Sequence, residues 1–281
     1  MTILVTGATG HVGRELIVAL LRRGEPVRAL TRFPETARLP AGVEVVGGDL
    51  ADPDGLGPAL RGVTAVHLIT RDFIEDTLGG DDYHGGQTPP AVVDLISRAG
   101  ARRVTLLTSG DPGPVEHAAE HSDVEWTRLL PQEIMTNVLE WAAESIRADG
   151  VVREPFADRP SAVLHEADIA EVAAIALVDG GHAGRSYTLT GPEVLSPREM
   201  IRTIGATLDR HIPFIELTEE EARQRWRASG YAEELIDFMV AWFTDTPVEG
   251  RTVSPAVEEV TGRPGRTFAQ WAAAHAAAFR P

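Results

Sequence analysis

Three glycines spaced three apart, Gly7, Gly10 and Gly13, lie in the run ILVTGATGHVGR that covers residues 3–14. Ile3 to Val5 reads as a strand buried on both faces, and Val12, Leu16, Ile17 and Leu20 recur at helical spacing. The glycines therefore sit on a strand-to-helix turn. Without Cβ atoms the chain turns sharply and its backbone can approach a pyrophosphate, while the last glycine lets the helix pack on the sheet. The helix N-terminus then offers unpaired N–H groups and a partial positive charge to phosphate oxygens. The chemistry this suits is dinucleotide binding. The spacing is G-x-x-G-x-x-G and not G-x-G-x-x-G, so a glycine-rich turn that binds nothing is the alternative. Context favours the ligand: a strand precedes, a helix follows, and a second strand comes at the right distance.

That second strand, Val27 to Thr31, ends at Arg32 in the tetrapeptide TRFP, which contains no acid. A carboxylate here would hold a ribose 2′-hydroxyl and repel a 2′-phosphate, whereas a guanidinium pairs with the phosphate. The expected cofactor is NADP (NADPH), with Arg32 on its 2′-phosphate. A solvated surface arginine is the alternative, and the scarcity of positive charge argues against it. Arg14 and Arg38 are further basic residues that could assist.

Alternating strands and helices must position these residues. After a polar loop comes a third strand over 43–50, then a short helix capped by Asp52 and stopped by Gly62. A fourth strand over 65–70 leads into a polar, glycine-rich loop, 71–88, that is a candidate lid. Pro89 or Pro90 opens a helix closed by Gly100. Strands over 104–110 and 124–131 follow, with a weaker helix between them, and Gln132 to Ala148 reads as one long helix. This rhythm predicts an α/β fold, a doubly wound parallel sheet of Rossmann type. Residues 1–150 would be the dinucleotide-binding domain, with 163–190 returning to it through a helix over 168–177 and a strand over 186–190. Residues 191–281 would form a smaller, mainly helical lobe on the substrate side, with the substrate cleft at the hinge.

Composition excludes several classes of function. The net charge of the 281-residue chain is −16, and all 26 basic residues are arginine. With a pI near 5.0, such a surface repels nucleic acid and anionic membranes. Cysteine is absent, which removes disulfides, thiol nucleophiles and Cys-ligated metals and fits a reducing cytoplasm. There is no signal-peptide pattern and no apolar run of membrane-spanning length. The alanine-rich stretch 269–279 reads as a terminal helix.

Several motifs in order resemble the NmrA-like group of atypical short-chain dehydrogenases/reductases. They are the opening ILVTGATGHVG, the Thr31-Arg32 strand end, Gly48-Asp49-Leu50, Thr108-Ser109, EWTRLLP over 125–131, HEADIA over 165–170 and YTLTGP over 187–192. The resemblance runs from residue 1 to about 200. It implies that the loop containing Gly7, Thr9, Gly10, His11 and Val12, closed by Gly13, holds the pyrophosphate. It further implies that Asp49 and Leu50 flank the adenine, that Ile69 and Thr70 line the ribose–pyrophosphate path, and that Thr108, Ser109 and Pro131 border the nicotinamide. An acid just after a strand also suits the exocyclic amine of adenine, with a solvated Asp49 as the alternative. His165 and Asp168 read as a buried polar latch between lobes.

The proton donor is the gap. Orthodox members of that superfamily use Tyr-x-x-x-Lys, in which lysine lowers the pKa of the tyrosine; this chain has no lysine, and Tyr83, Tyr187 and Tyr231 lie outside the expected helix. No catalytic residue is assigned. His117, among Glu116, Glu120 and His121, is the one candidate, against a solvated histidine on a polar helix. Asp81, Asp82, Tyr83 and His84 lack confirming ligands, and no metal is expected. The resemblance implies a reductase that passes hydride to a quinone, an enone or another electron-poor carbonyl acceptor, with positioning as its main device. A non-catalytic redox sensor with a protein partner and a tailoring reductase or isomerase are the alternatives. The expected partner is a small molecule, aromatic or quinone-like, with a homodimer left open.

Overall fold

Short runs of branched apolar residues build the sheet that carries everything else. The strands are β1 (Thr2–Val5), β2 (Val27–Thr31), β3 (Glu44–Gly47), β4 (Val63–Ile69), β5 (Arg103–Leu107), β6 (Glu125–Pro131), β7 (Val152–Glu154), β8 (Arg185–Leu189) and β9 (Phe214–Glu216). Seven of them form one sheet in the order β3-β2-β1-β4-β5-β6-β8, and every pairing is parallel. This is the doubly wound sheet expected from the sequence. The strand order reverses between β1 and β4, which is where such sheets open a crevice at their carboxyl ends. The computed structural model describes residues 2–70 and 88–280. The candidate lid (apart from Thr88) and the Asp81–His84 cluster lie outside the described residues.

The chain divides into two units, Met1–Pro131 with Glu166–Leu189, and Gln132–His165 with Thr190–Pro281. The first holds the whole seven-stranded sheet. On one face Leu4, Val66, Leu68, Val104 and Leu106 pack with Leu56, Val92, Val93 and Ile96, residues of the segments around α2 (Gly57–Leu60) and α3 (Ala91–Arg98). Val115 and Ala119 of α4 (Pro114–Glu120) join that cluster. On the other face lie α1 (His11–Arg22), which buries Leu16, Ile17 and Leu20, and a later helix, Glu166–Val178, whose residues 172–177 are all buried.

The second unit has its own core. Met135, Val138, Ala142 and Ile146 pack with Met200, Ile204, Phe268 and Trp271. They come from α5 (Glu144–Ala148) and the turn before it, from α7 (Pro197–Thr207) and from α11 (Phe268–Ala274), the helix Glu166–Val178 being α6. A satellite cluster joins α8 (Glu219–Ala228) and α9 (Glu233–Thr244) through Trp226, Leu235, Ile236 and Met239; α10 spans Ala256–Thr261.

Three local expectations differ from the structure. The segment after Pro131 belongs to the second unit and not to the domain drawn to residue 150, because its apolar residues complete the second core. The long helix over 132–148 starts late, as a π-helical turn at Leu139–Ala143. Its first residues are used elsewhere: the Met135 N–H donates to the Leu164 carbonyl at 2.9 Å, and the Leu164 N–H donates to Glu133 at 2.8 Å. Asp52 precedes the 3-10 turn Pro53–Leu56 but makes no side-chain cap. The second unit is mainly helical, and β7 and β9 add one short parallel pair. Strands of three residues are too short to show an alternating pattern.

Candidate functional site

Gly7 adopts φ +58°, the left-handed conformation that favours glycine, at the point where β1 ends. The Gly10 N–H donates to the Gly7 carbonyl at 3.0 Å, which closes the turn. A Cβ on Gly13 would stand 2.1 Å from the Gly7 carbonyl oxygen and 2.9 Å from the Cα of Ala8. Only glycine fits there, so the third glycine sets how closely α1 can approach the turn. Gly10 is the N-cap of α1 and supplies no side-chain hydrogen bond, and the first turn contains no acid. The first N–H groups of α1 are thus left for something other than the helix's own side chains. Gly7, Thr9, Gly10 and His11 are exposed, while Val12 and Gly13 are buried beneath them. Backbone donors on the surface above a glycine-only cradle fit a pyrophosphate.

The neighbouring strand ends assemble around this turn. The Thr6 N–H donates to the His67 carbonyl at 3.0 Å, and Thr6 Oγ1 accepts from the Ile69 N–H at 2.9 Å. Ile69 in turn lies over Gly7, with its Cγ2 3.4 Å from where a Cβ would be. The pairing continues outward: the Thr70 N–H donates to the Leu107 carbonyl at 3.0 Å and the Thr108 N–H to the Leu129 carbonyl at 3.1 Å. Ile69, Thr70, Thr108, Ser109 and Pro131 accordingly stand side by side at the carboxyl end of β4, β5 and β6. Thr6 was not singled out from the sequence, although it lies inside the glycine motif.

On the other side of the turn, Arg32 follows β2 with its guanidinium carbon 5.7 Å from the centre of the Phe33 ring. Phe33 is 63% exposed. Asp49 follows β3 and turns its Oδ1 back to accept from the Ala51 N–H at 3.0 Å. Leu50 lines an apolar pocket with Thr6, Leu30, Leu56 and Leu68.

The surroundings of β6 and α4 are less regular. Arg128 of β6 is buried, and its guanidinium donates to the Gly110 carbonyl. Glu116 is buried on α4, where its Oε2 accepts from the Gly113 N–H at 3.0 Å. His117 points away from both: its side chain is 59% exposed and its Nδ1 lies 3.2 Å from Glu120 Oε2. His165 and Asp168 are both buried. Beneath the strand ends, His67 is 1% exposed and bonds through Nδ1 to Thr105 Oγ1 at 2.8 Å. Burial pushes its pKa down to about 4. Among the described residues, no helix is long and apolar enough to cross a membrane.

A parallel sheet with its order reversed beside a glycine-only turn defines a Rossmann-type dinucleotide-binding fold. A family model described as "NAD(P)H-binding" matches residues 7–154, and the chain belongs to that family. Over 99% of both chains it is 38% identical to a (4-alkanoyl-5-oxo-2,5-dihydrofuran-3-yl)methyl phosphate reductase of Streptomyces griseus. It is also 33% identical, again over 99% of both, to an NAD(P)H azoreductase of Xenophilus azovorans. The fold matches that of the Citrobacter sp. triphenylmethane reductase complexed with NADP(H), with a TM-score of 0.74 and 19% identity, over 98% of this chain and 100% of the other.

Proposed function

We propose that this chain is an NADPH-dependent reductase, working in the cytoplasm, whose acceptor is a small molecule with an electron-poor double bond: a quinone, an enone or a related conjugated carbonyl compound. The observation that carries this reading is the end-to-end likeness to two reductases. The name of the Streptomyces griseus relative's substrate describes a ring double bond conjugated with carbonyl groups. The other relative is named for azo compounds.

In this reading the N–H groups of the Gly7–Gly13 turn hold the pyrophosphate, and Arg32 pairs with the 2′-phosphate. Asp49 and Leu50 flank the adenine. Ile69 and Thr70 line the path between, and Thr108, Ser109 and Pro131 border the nicotinamide. When bound, NADPH supplies the hydride. The protein supplies position, since the chain has no lysine with which to build a Tyr-x-x-x-Lys pair. An acceptor already short of electrons needs little acid assistance, so holding it in line is the larger contribution.

The test is NADPH absorbance in the presence of a panel of quinones, enones and azo compounds. Acceptor-dependent loss of absorbance is expected. Tight NADPH binding without any such loss, together with a copurifying protein, would establish a sensor instead.

A further inference from the structure

Arg14 stands one residue past the last glycine of the turn, and its side chain joins two separate segments. Its Nε donates to the Thr9 carbonyl at 2.7 Å, inside the glycine turn. Its Nη1 donates to the Arg38 carbonyl at 2.5 Å, 24 residues away in the connection from β2 to β3. Bonds from a charged donor are stronger than neutral ones, and the planar guanidinium fixes the direction of both at once. A surface arginine held at two backbone carbonyls gives up much of its rotamer freedom. Its carbon stem starts from the first turn of α1, where the Arg14 N–H donates to the Gly10 carbonyl at 3.0 Å.

The segment tied down in this way begins with Arg32. It is a succession of turns: the Phe33 N–H donates to Thr31 Oγ1 at 3.2 Å, and Thr36 Oγ1 donates to the Phe33 carbonyl at 3.3 Å. β2 holds one end of it and Arg14 holds the other. A 2′-phosphate and a 5′-pyrophosphate are carried on a single ribose, which keeps them at a nearly fixed separation. The two protein segments that grip them must keep a matching separation.

We propose that Arg14 is a positioning residue that spaces the glycine turn from the Arg32 loop, so that preference for NADPH over NADH depends on Arg14 as well as on Arg32. This rests on the NADPH reading given above. Arg14 acts through the two backbone carbonyls that it holds.

The test is fluorescence titration of the whole protein with NADPH, NADH and adenosine 2′,5′-bisphosphate, with the thermal midpoint measured for each variant. Arg14→Ala should weaken NADPH and the bisphosphate about tenfold, and NADH less than about threefold. Arg14→Lys retains the charge but cannot span both carbonyls, and should recover only part of the loss. In an Arg32→Ala background, removing Arg14 should leave the NADPH-to-NADH ratio unchanged, because the loop then has no 2′-phosphate contact to position. Equal weakening of the two cofactors, or strictly additive losses in the double variant, would overturn the proposal, and so would full recovery by Arg14→Lys. If the unsubstituted protein shows no preference for NADPH, the cofactor reading itself fails and takes the proposal with it. That failure is recognisable because it appears before any substitution.

Discussion

The glycine-turn helix of the first unit and three helices of the second begin in different ways. In the second unit, α7, α8 and α11 each start with a complete capping box: Ser196 with Glu199, Thr218 with Glu221, and Thr267 with Gln270. Each box satisfies two backbone donors reciprocally and brings a polar side chain to the positive end of the helix. In the first unit, α1 starts at Gly10 with no side-chain cap and no acid. The physical problem is the same and the solutions are opposite. The three boxed helices finish their own N-termini, whereas α1 is left unfinished above a glycine cradle, an arrangement that suits an anion.

The strongest way to break that contrast is Gly13→Ala. The new methyl would meet the Gly7 carbonyl at 2.1 Å, and backbone cannot yield cheaply, so a loss of about 3 kcal/mol and of NADPH binding is expected. Gly57→Ala is the control, since nothing lies within 4 Å of a Cβ there; denaturant melts of the two variants should differ sharply.

The second unit also keeps a charge pair for itself. Arg159 donates to both oxygens of Glu133 at 2.6 and 2.8 Å, and its guanidinium carbon is 4.5 Å from the centre of the Phe243 ring. Burial would raise the Glu133 pKa, but the charge and hydrogen bonds of Arg159 outweigh it and hold the group below its ordinary value. Glu133→Gln leaves a buried guanidinium without its counter-charge and should cost about 3 kcal/mol in a chemical melt.

His67 is a polar group of the first unit that is satisfied internally. Its folded pKa of about 4 lies below the ordinary 6.5, so the unfolded chain binds the proton more readily. Stability is therefore full above pH 6.5 and declines as the pH falls towards 4, by about 3 kcal/mol in all. His67→Phe should flatten that part of the stability–pH curve.

Two further substitutions sharpen the comparison. Arg32→Glu should weaken NADPH about a hundredfold, roughly 3 kcal/mol, and NADH much less; equal losses on titration would mean that the 2′-phosphate sits elsewhere. Ser196→Ala removes one half of a box and should cost about 1 kcal/mol on melting. It should leave NADPH affinity as it was, because that cap serves only its own helix.

Much of this was legible from local pattern. The strand–glycine–helix opening and the parallel sheet follow from short-range steric and hydrophobic rules, whereas the candidate residues at the strand ends came from the family resemblance. Helix 132–148 was misread because Met135 and Leu164 exchange backbone bonds with residues on each other's segment, and a helical spacing carries no mark of that. β7 and β9 were missed for the same reason, since their partners lie far apart in sequence.

By itself, the sequence determined where a Cβ is forbidden, which residues must be buried, and that a lysine-assisted tyrosine is unavailable. Only the tertiary structure decided that Arg14 reaches Arg38, that His67 meets Thr105, and that Glu133 is claimed by Arg159. Spacing along a chain encodes the period of a helix or strand. A contact between distant residues depends on how those elements are stacked, which no local window contains.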